Sequence, residues 1–501
     1  MHLGVDFGTT RTIVAWVDRG NYPVVSFVDA DGDAHEYFPS VVARRGDELL
    51  FGFEALEAAD DGAPLLKSFK RVLATADVTP ITPLLVGGRA FPVLEVLTGF
   101  LSSLLRALAT TSSVASGFEP GPTVVAVPAH AHGPQRFLTL EAFRRAGFPV
   151  TGMVNEPSAA GFEYSHRQGR TLNSRRTRVI VYDLGGGTFD ASLVNVDGTS
   201  HDVLSSVGVN NLGGDDFDEV LAECALAEAQ TTRAEVGARA WARLLEECRE
   251  AKEHLAPQTR RIAVEVAGDA VVVPVAEFYT EATPLVEASI DVMSPLVTGL
   301  GDGELGDVAG IYLVGGASGL PLVPRALRER FGRRVHRSPY PAASTAIGLA
   351  IAADDAAAFS LTDRLSRGFG VFRERSGGAT VSFDALLARE EKVSARVDVV
   401  VTRRYRAAHN VGWFRFVEYS AVDEHGEPQG DIVPFADVVF PFDPALQDGR
   451  ELHEVPVERR EDGPLVEETY TIDPHGIVSV RITDLSTGYS RIEALRAGDE
   501  D

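Results

Sequence analysis

Asp6 and Asp183 each close an apolar run and lead at once into a glycine-bearing turn: Phe7-Gly8-Thr9-Thr10 in the first case, Leu184-Gly185-Gly186-Gly187-Thr188 in the second. A polyphosphate chain is held by backbone N–H groups that approach it closely, and glycine permits that approach. Thr9, Thr10 and Thr188 add hydroxyl donors. Carboxylates beside such turns repel phosphate, so a cation must stand between them. Mg2+ fits, because it keeps several waters and is held by carboxylates through them. The two turns together predict a nucleotide site with Asp6 and Asp183 around a hydrated Mg2+. Neither turn follows the G-x-G-x-x-G or Walker pattern, so Rossmann and P-loop sites are poor matches.

These residues must be positioned by an alternation of strands and helices that runs to about residue 357. The apolar runs LGVDFG, TIVAWV, TVVAVP, VIVYDLG, ASLVNV and GIYLVGG are interleaved with stretches of helical character such as Val93–Ala109, Gln135–Ala146 and Ala238–Leu255. That is an α/β pattern. The two turn units also share one plan. Leu3–Asp6 enters and Thr12–Val17 leaves; Val179–Asp183 enters and Ala191–Val196 leaves. A duplicated domain over 1–357, with one unit per lobe, follows.

Beyond it, 358–368 reads as a linker, 369–495 as an all-β domain and 496–501 as an acidic tail. Turn signals stand at His425-Gly426, Asp462-Gly463 and Pro474-His475-Gly476. In 395–402, Ala395, Val397, Val399 and Val401 alternate with Arg396, Asp398 and Thr402, which predicts a strand with one apolar face.

Composition bounds the partners. The 501 residues are 45% hydrophobic and 24% charged, enough for a large core. Lys+Arg 47 against Asp+Glu 72 leaves a net −25, which argues against a nucleic-acid backbone or an anionic membrane as partner. Cys224 and Cys248 lack zinc-site spacing and read as buried free thiols. The start, MHLGVDFGTT, has no basic and apolar leader, and no window reaches ~18 uncharged apolar residues. A cytoplasmic protein is the expectation.

The motif set resembles the DnaK-type heat-shock chaperone family, which belongs to the actin/hexokinase superfamily of ATPases. The residues that carry the resemblance are GVDFGTT at 4–10, FKR at 69–71, VAVPAHAHGPQR at 125–136, VNEPSAAGFEY at 154–164, VYDLGGGTFD at 181–190, LGGDDFD at 212–218, AKEHL at 251–255 and LVGGASGLP at 313–321. YRAAHNVGWFRF at 405–416 and VEETYTIDPHGIVSVRITDLSTG at 466–488 resemble that family's β-sandwich peptide-binding domain. The resemblance implies a two-lobed actin-like ATPase domain followed by an all-β sandwich, with ATP/ADP and Mg2+ as ligands. It implies Lys70, Glu156, Asp183 and Thr188 as the hydrolytic residues and Asp190 as outer-shell support of the metal. It places Gly8, Thr9, Thr10, Gly185, Gly186, Gly187, Gly213, Gly214, Asp215, Lys252, Gly315 and Gly316 around the nucleotide. Pro128 and Arg136 match a switch that relays nucleotide state through an Arg–Glu contact with Glu156.

Several positions depart from the family. Glu253 stands where many members lay an arginine on the adenine, and a glutamate cannot make that cation–π stack. Arg249, Ala256, Ala317, Ser318, Gly319 and Ala342 also differ from the usual residues, so base recognition is expected to be weaker than phosphate recognition. The linker stretch offers only Phe359 and Leu361 as apolar anchors, and Gly152 replaces a basic residue of the J-domain surface, which argues against a standard J-domain cochaperone. No helical lid follows the last strand, which predicts fast peptide exchange. Two functions remain open: a lid-less chaperone-like ATPase that binds extended polypeptide segments, or a nucleotide-responsive scaffold with one dedicated partner and little hydrolysis.

Overall fold

The computed structural model describes residues 1–168, 172, 176–209, 211–297, 306–357, 360–365, 367–375, 380–388, 391–394, 397–448 and 451–494. Phe359, Ala395, Arg396 and the tail 496–501 lie outside them.

The two largest sheets of the first 357 residues are built on one plan. In lobe I the hairpin Leu3–Phe7/Arg11–Trp16 is flanked by parallel strands Thr123–Val127 and Val150–Asn155 on one side and by Phe38–Pro39 on the other. In lobe II the hairpin Arg178–Leu184/Phe189–Asp197 is flanked in the same order by parallel strands Val308–Val314 and Val335–Arg337, and by Ser200–Val209. The predicted duplication is thus a duplication of topology. Valine and isoleucine fill these strands because both faces are covered by helices. Val308–Val314 is buried along its whole length.

Each lobe has its own core, centred on Phe7, Phe38, Phe100 and Phe143 in lobe I and on Tyr182, Phe189, Phe217 and Phe278 in lobe II. Val93–Thr110 is long and apolar enough to cross a membrane, yet its apolar stripe, Leu94, Leu97, Leu101 and Leu104 included, is buried in the lobe I core. Cys224 and Cys248 are buried free thiols. The lobes are stitched at their base by the helices Glu156–Gln168 and Ser344–Ala353. Gly348 sets how closely they cross, since a Cβ there would collide with the Ala159 carbonyl.

The C-terminal part is a sandwich of two antiparallel four-stranded sheets. One runs Thr380–Leu387, Gly368–Arg375, Val411–Val422, Pro428–Pro441; the other runs Val399–Arg406, Leu465–Ile472, Val478–Asp484, Ser490–Ala494. Phe369, Phe416, Phe440, Tyr470 and Ile472 meet between them. One sequence expectation needs correcting. The strand begins at Val399, not before it: Val399 and Val401 face the core, while Val397 precedes the strand and is 66% exposed.

The stretch between the domains is itself a strand. Ser360–Arg364 pairs in parallel with Ser200–Asp202 and antiparallel with Lys392–Ser394, extending the lobe II sheet. Backbone pairing, which any sequence can supply, holds this segment. The β-domain also rests on lobe I. Glu418 accepts two hydrogen bonds from the Gly133 N–H, at 3.0 and 2.9 Å, at the start of the helix Gly133–Arg145, and Ile477 packs on the lobe I core.

Candidate functional site

Asp6 and Asp183 each stand one residue before the end of their strands, at corresponding places in the two hairpins. Glu156 opens the helix that follows Val150–Asn155, and Lys70 lies on a short 3-10 turn, Phe69–Ala74. The fold brings all four to the cleft between the lobes. Lys70 is 6% exposed, donates to the Phe7 carbonyl and lies 3.6 Å from Glu156 Oε1.

Carboxylates so close together and so little hydrated resist ionisation. Burial pushes Asp6 up to about 6 although Lys70 opposes it. Glu156 rises to about 8 through burial, with Asp6 and Asp190 adding to it. Asp183 stands well above the ordinary carboxylate range for the same reasons. A divalent cation placed there would offset the penalty by its charge.

The glycine turns face each other. The second is closed by Gly185 N donating to Thr188 O at 3.0 Å. A Cβ on Gly186 would lie 2.9 Å from Thr10 Oγ1, so bare backbone is required where the turns meet. Gly214 N and Asp215 N donate to the Gly185 and Gly186 carbonyls at 2.9 and 2.7 Å, and Gly213 lies on the Gly186–Gly187 backbone. Gly315, at φ 81°, abuts the Asp183 carboxylate, where a Cβ would collide. The cavity between the lobes measures about 1080 Å³; Gly8, Thr9, Thr188 and Gly316 line it together with the acidic residues and Lys70.

The end of the cavity lined by Lys252 and Glu253 is organised by ion pairs. Lys252 is buried and held by Asp218 at 2.5 Å and by the Gly214 carbonyl at 2.6 Å. Glu253 meets Arg11 of lobe I at 2.6 Å, and that guanidinium lies 4.4 Å over the Tyr37 ring. Arg71 reaches Asp215 at 2.9 Å, and Lys67 pairs with Glu246. All three pairs cross the cleft. Ala317, Gly319 and Ala342 line it with small side chains or none.

Pro128 is buried at the cavity wall. Arg136, also buried, donates to Asn155 and to the His475 carbonyl, the latter at 3.1 Å. The guanidinium meets Asn155, next in sequence to Glu156, and Glu156 faces Lys70.

Sequence reasoning missed Arg11, Lys67, Arg71, Glu246 and Asp218, and it passed over His130, whose Nδ1 lies 3.3 Å from Asp190 Oδ1. Each has its partner dozens to hundreds of residues away, and a surface arginine or glutamate carries no local mark of its partner.

A duplicated two-lobed domain with a glycine turn from each lobe, followed by a β-sandwich, defines the actin-like ATPase fold of a chaperone-type protein. Residues 97–363 match the sequence profile described as Hsp70 protein, and the chain belongs to the Hsp70 family. It is similar to the chaperone protein HscA homolog of Tolumonas auensis, 33% identical over 365 residues, which covers 70% of this chain and 57% of that protein. It is likewise 33% identical to the chaperone protein HscA of Serratia proteamaculans over 367 residues and to that of Klebsiella pneumoniae over 366, with the same coverage. The match thus spans little more than half the length of these curated relatives.

Proposed function

We propose that this protein is an ATP-dependent chaperone of the Hsp70 type, which hydrolyses ATP slowly between its lobes and couples that to the grip of its β-domain on extended polypeptide segments. The convergence of Asp6, Glu156, Asp183 and Lys70 between two facing glycine turns carries the reading. Asp6 and Asp183 would hold the waters of Mg2+, with Asp190 behind them, and the cation would neutralise charge on the phosphates. Gly8, Thr9, Thr10 and Gly185–Gly187 would cradle the phosphates, with Gly213–Asp215, Lys252, Gly315 and Gly316 around the rest of the nucleotide. Lys70 would stabilise charge on the transferred group, and Glu156, Asp183 and Thr188 would orient the attacking water, positioning more than base strength being required. Pro128 and Arg136 would relay the state of the cleft to the β-domain through the His475 carbonyl.

One observation favours a second reading, a nucleotide-responsive scaffold with a dedicated protein partner. Glu253 and Lys252, at one end of the cavity, are engaged by Arg11 and Asp218. Fluorescence anisotropy of a labelled extended apolar peptide, titrated in Mg·ADP and in Mg·ATP, separates the two. Weaker binding in ATP supports the chaperone; no binding in either state, with the protein folded, supports the scaffold. ATP turnover by the parent, lost in Lys70→Ala and Asp183→Asn, tests the enzymatic half directly.

A further inference from the structure

Asp183, Asp190 and Gly208 stand side by side on three neighbouring strands of lobe II. Like charges directly opposite each other across a strand pair are destabilising. Asp190 is 4% exposed, so water offers it little relief, and its charge helps to raise both Asp183 and Glu156, which places it against the hydrolytic cluster. Glycine at the third position makes room. A Cβ on Gly208 would lie 2.6 Å from Asp190 Oδ1 and 3.1 Å from His130 Nδ1. Into that room His130 reaches from lobe I, two residues after Pro128, with Nδ1 3.3 Å from Asp190 Oδ1. In the tautomer that carries its proton on Nδ1, the imidazole donates to the Asp190 carboxylate.

We propose that His130 is a positioning residue for hydrolysis: from the opposite lobe it fixes the Asp190 carboxylate beside Asp183 and Glu156, so that the surroundings of the attacking water are complete only when the lobes are closed. The proposal rests on the reading of the cleft as an ATPase site. A buried carboxylate that loses its fixed donor turns toward other partners, and supporting groups of this kind typically contribute about 10- to 100-fold to activity.

Steady-state ATP hydrolysis by the full chain tests it, with His130→Phe and His130→Gln compared by kcat and KM and checked for folding by thermal melting. His130→Phe keeps a ring but has no donor, and its kcat is expected to fall about 10- to 100-fold with KM for ATP within about twofold. His130→Gln keeps an N–H donor and is expected to recover most of the loss. A melting temperature equal to the parent's with unchanged kcat in His130→Phe overturns the inference, as does an equal loss in both variants. A parent that binds Mg·ATP by calorimetry and never turns it over overturns the ATPase reading itself, and this inference with it.

Discussion

Both carboxylate oxygens of Glu418, in the β-domain, lie within 3.0 Å of the backbone nitrogen of Gly133, in lobe I. The N–H groups of a helix's first turn have no partners within the helix, and a carboxylate there satisfies one of them and complements the helix dipole. The helix so capped is the one that carries Arg136, so the cap is supplied by one domain to a helix of the other. Removing it should uncap the helix and loosen the docked arrangement together. Glu418→Ala is expected to cost docking about 1–3 kcal/mol, a buried charge-assisted hydrogen bond being at stake. Hydrogen exchange at Gly133–Arg136 should quicken about tenfold or more; unchanged protection would show that the cap contributes nothing.

Two histidines make the same interface sensitive to acid. His475, between Arg136 and Arg144, is pushed below its ordinary value, mainly by burial and also by those two guanidiniums. His132 is lowered chiefly by burial and then by Arg367, and its Nδ1 accepts from Gln135 N, which requires an unprotonated nitrogen. Both therefore favour docking when neutral. Their contribution is whole above the ordinary imidazole value of about 6.5 and is lost as pH falls below it. Glu418, raised by burial, acts with the opposite sign, its contribution falling as pH rises through its raised value. Interdomain fluorescence transfer should thus decline between pH 7.5 and 5.5, and His132→Asn with His475→Gln should flatten the decline.

Arg11–Glu253, Lys67–Glu246 and Arg71–Asp215 must part before the cleft can open. All three are partly exposed, so each is worth at most about 1 kcal/mol and is screened by salt. Release of a fluorescent ADP analogue should quicken severalfold between 50 mM and 1 M salt, in round numbers, by weakening these pairs. Glu246→Gln with Glu253→Gln should release it faster at low salt and respond less to added salt. Equal salt dependence in parent and variant would remove the ion pairs from the release step.

The raised acids of the cleft predict how ligand and pH combine. Without a cation, carboxylates whose folded values are raised stabilise the protein most at low pH, and that stability falls as pH rises through the raised values, about 6 for Asp6 and about 8 for Glu156. Mg·ADP should restore what is lost. The thermal shift on adding Mg·ADP is expected to grow from pH 6 to pH 8.5, and removing the metal with a chelator should cancel that growth. A shift independent of pH would mean that these carboxylates do not hold the cation.

The two aspartate-glycine turns were legible in the residues alone because their requirement is local: a strand end, a carboxylate and backbone with no Cβ in the way. The same holds for the duplicated plan and the α/β-to-β change of character, since periodicity along a strand or helix depends only on neighbours a few positions away. The exposed Val397 shows the limit, for alternation marks a face but not where pairing begins. Partner choice lay further out of reach. Nothing near Glu253 names Arg11, nothing near Glu418 names Gly133, and nothing near His130 names Asp190. Those partners are set by how two lobes and a sandwich come to rest on one another. Long charged side chains take whichever opposite charge or open helix end the packing brings within about 3 Å. The sequence by itself determined the two aspartate-glycine turns; only the tertiary structure decided how the lobes are latched and how the β-domain is joined to them.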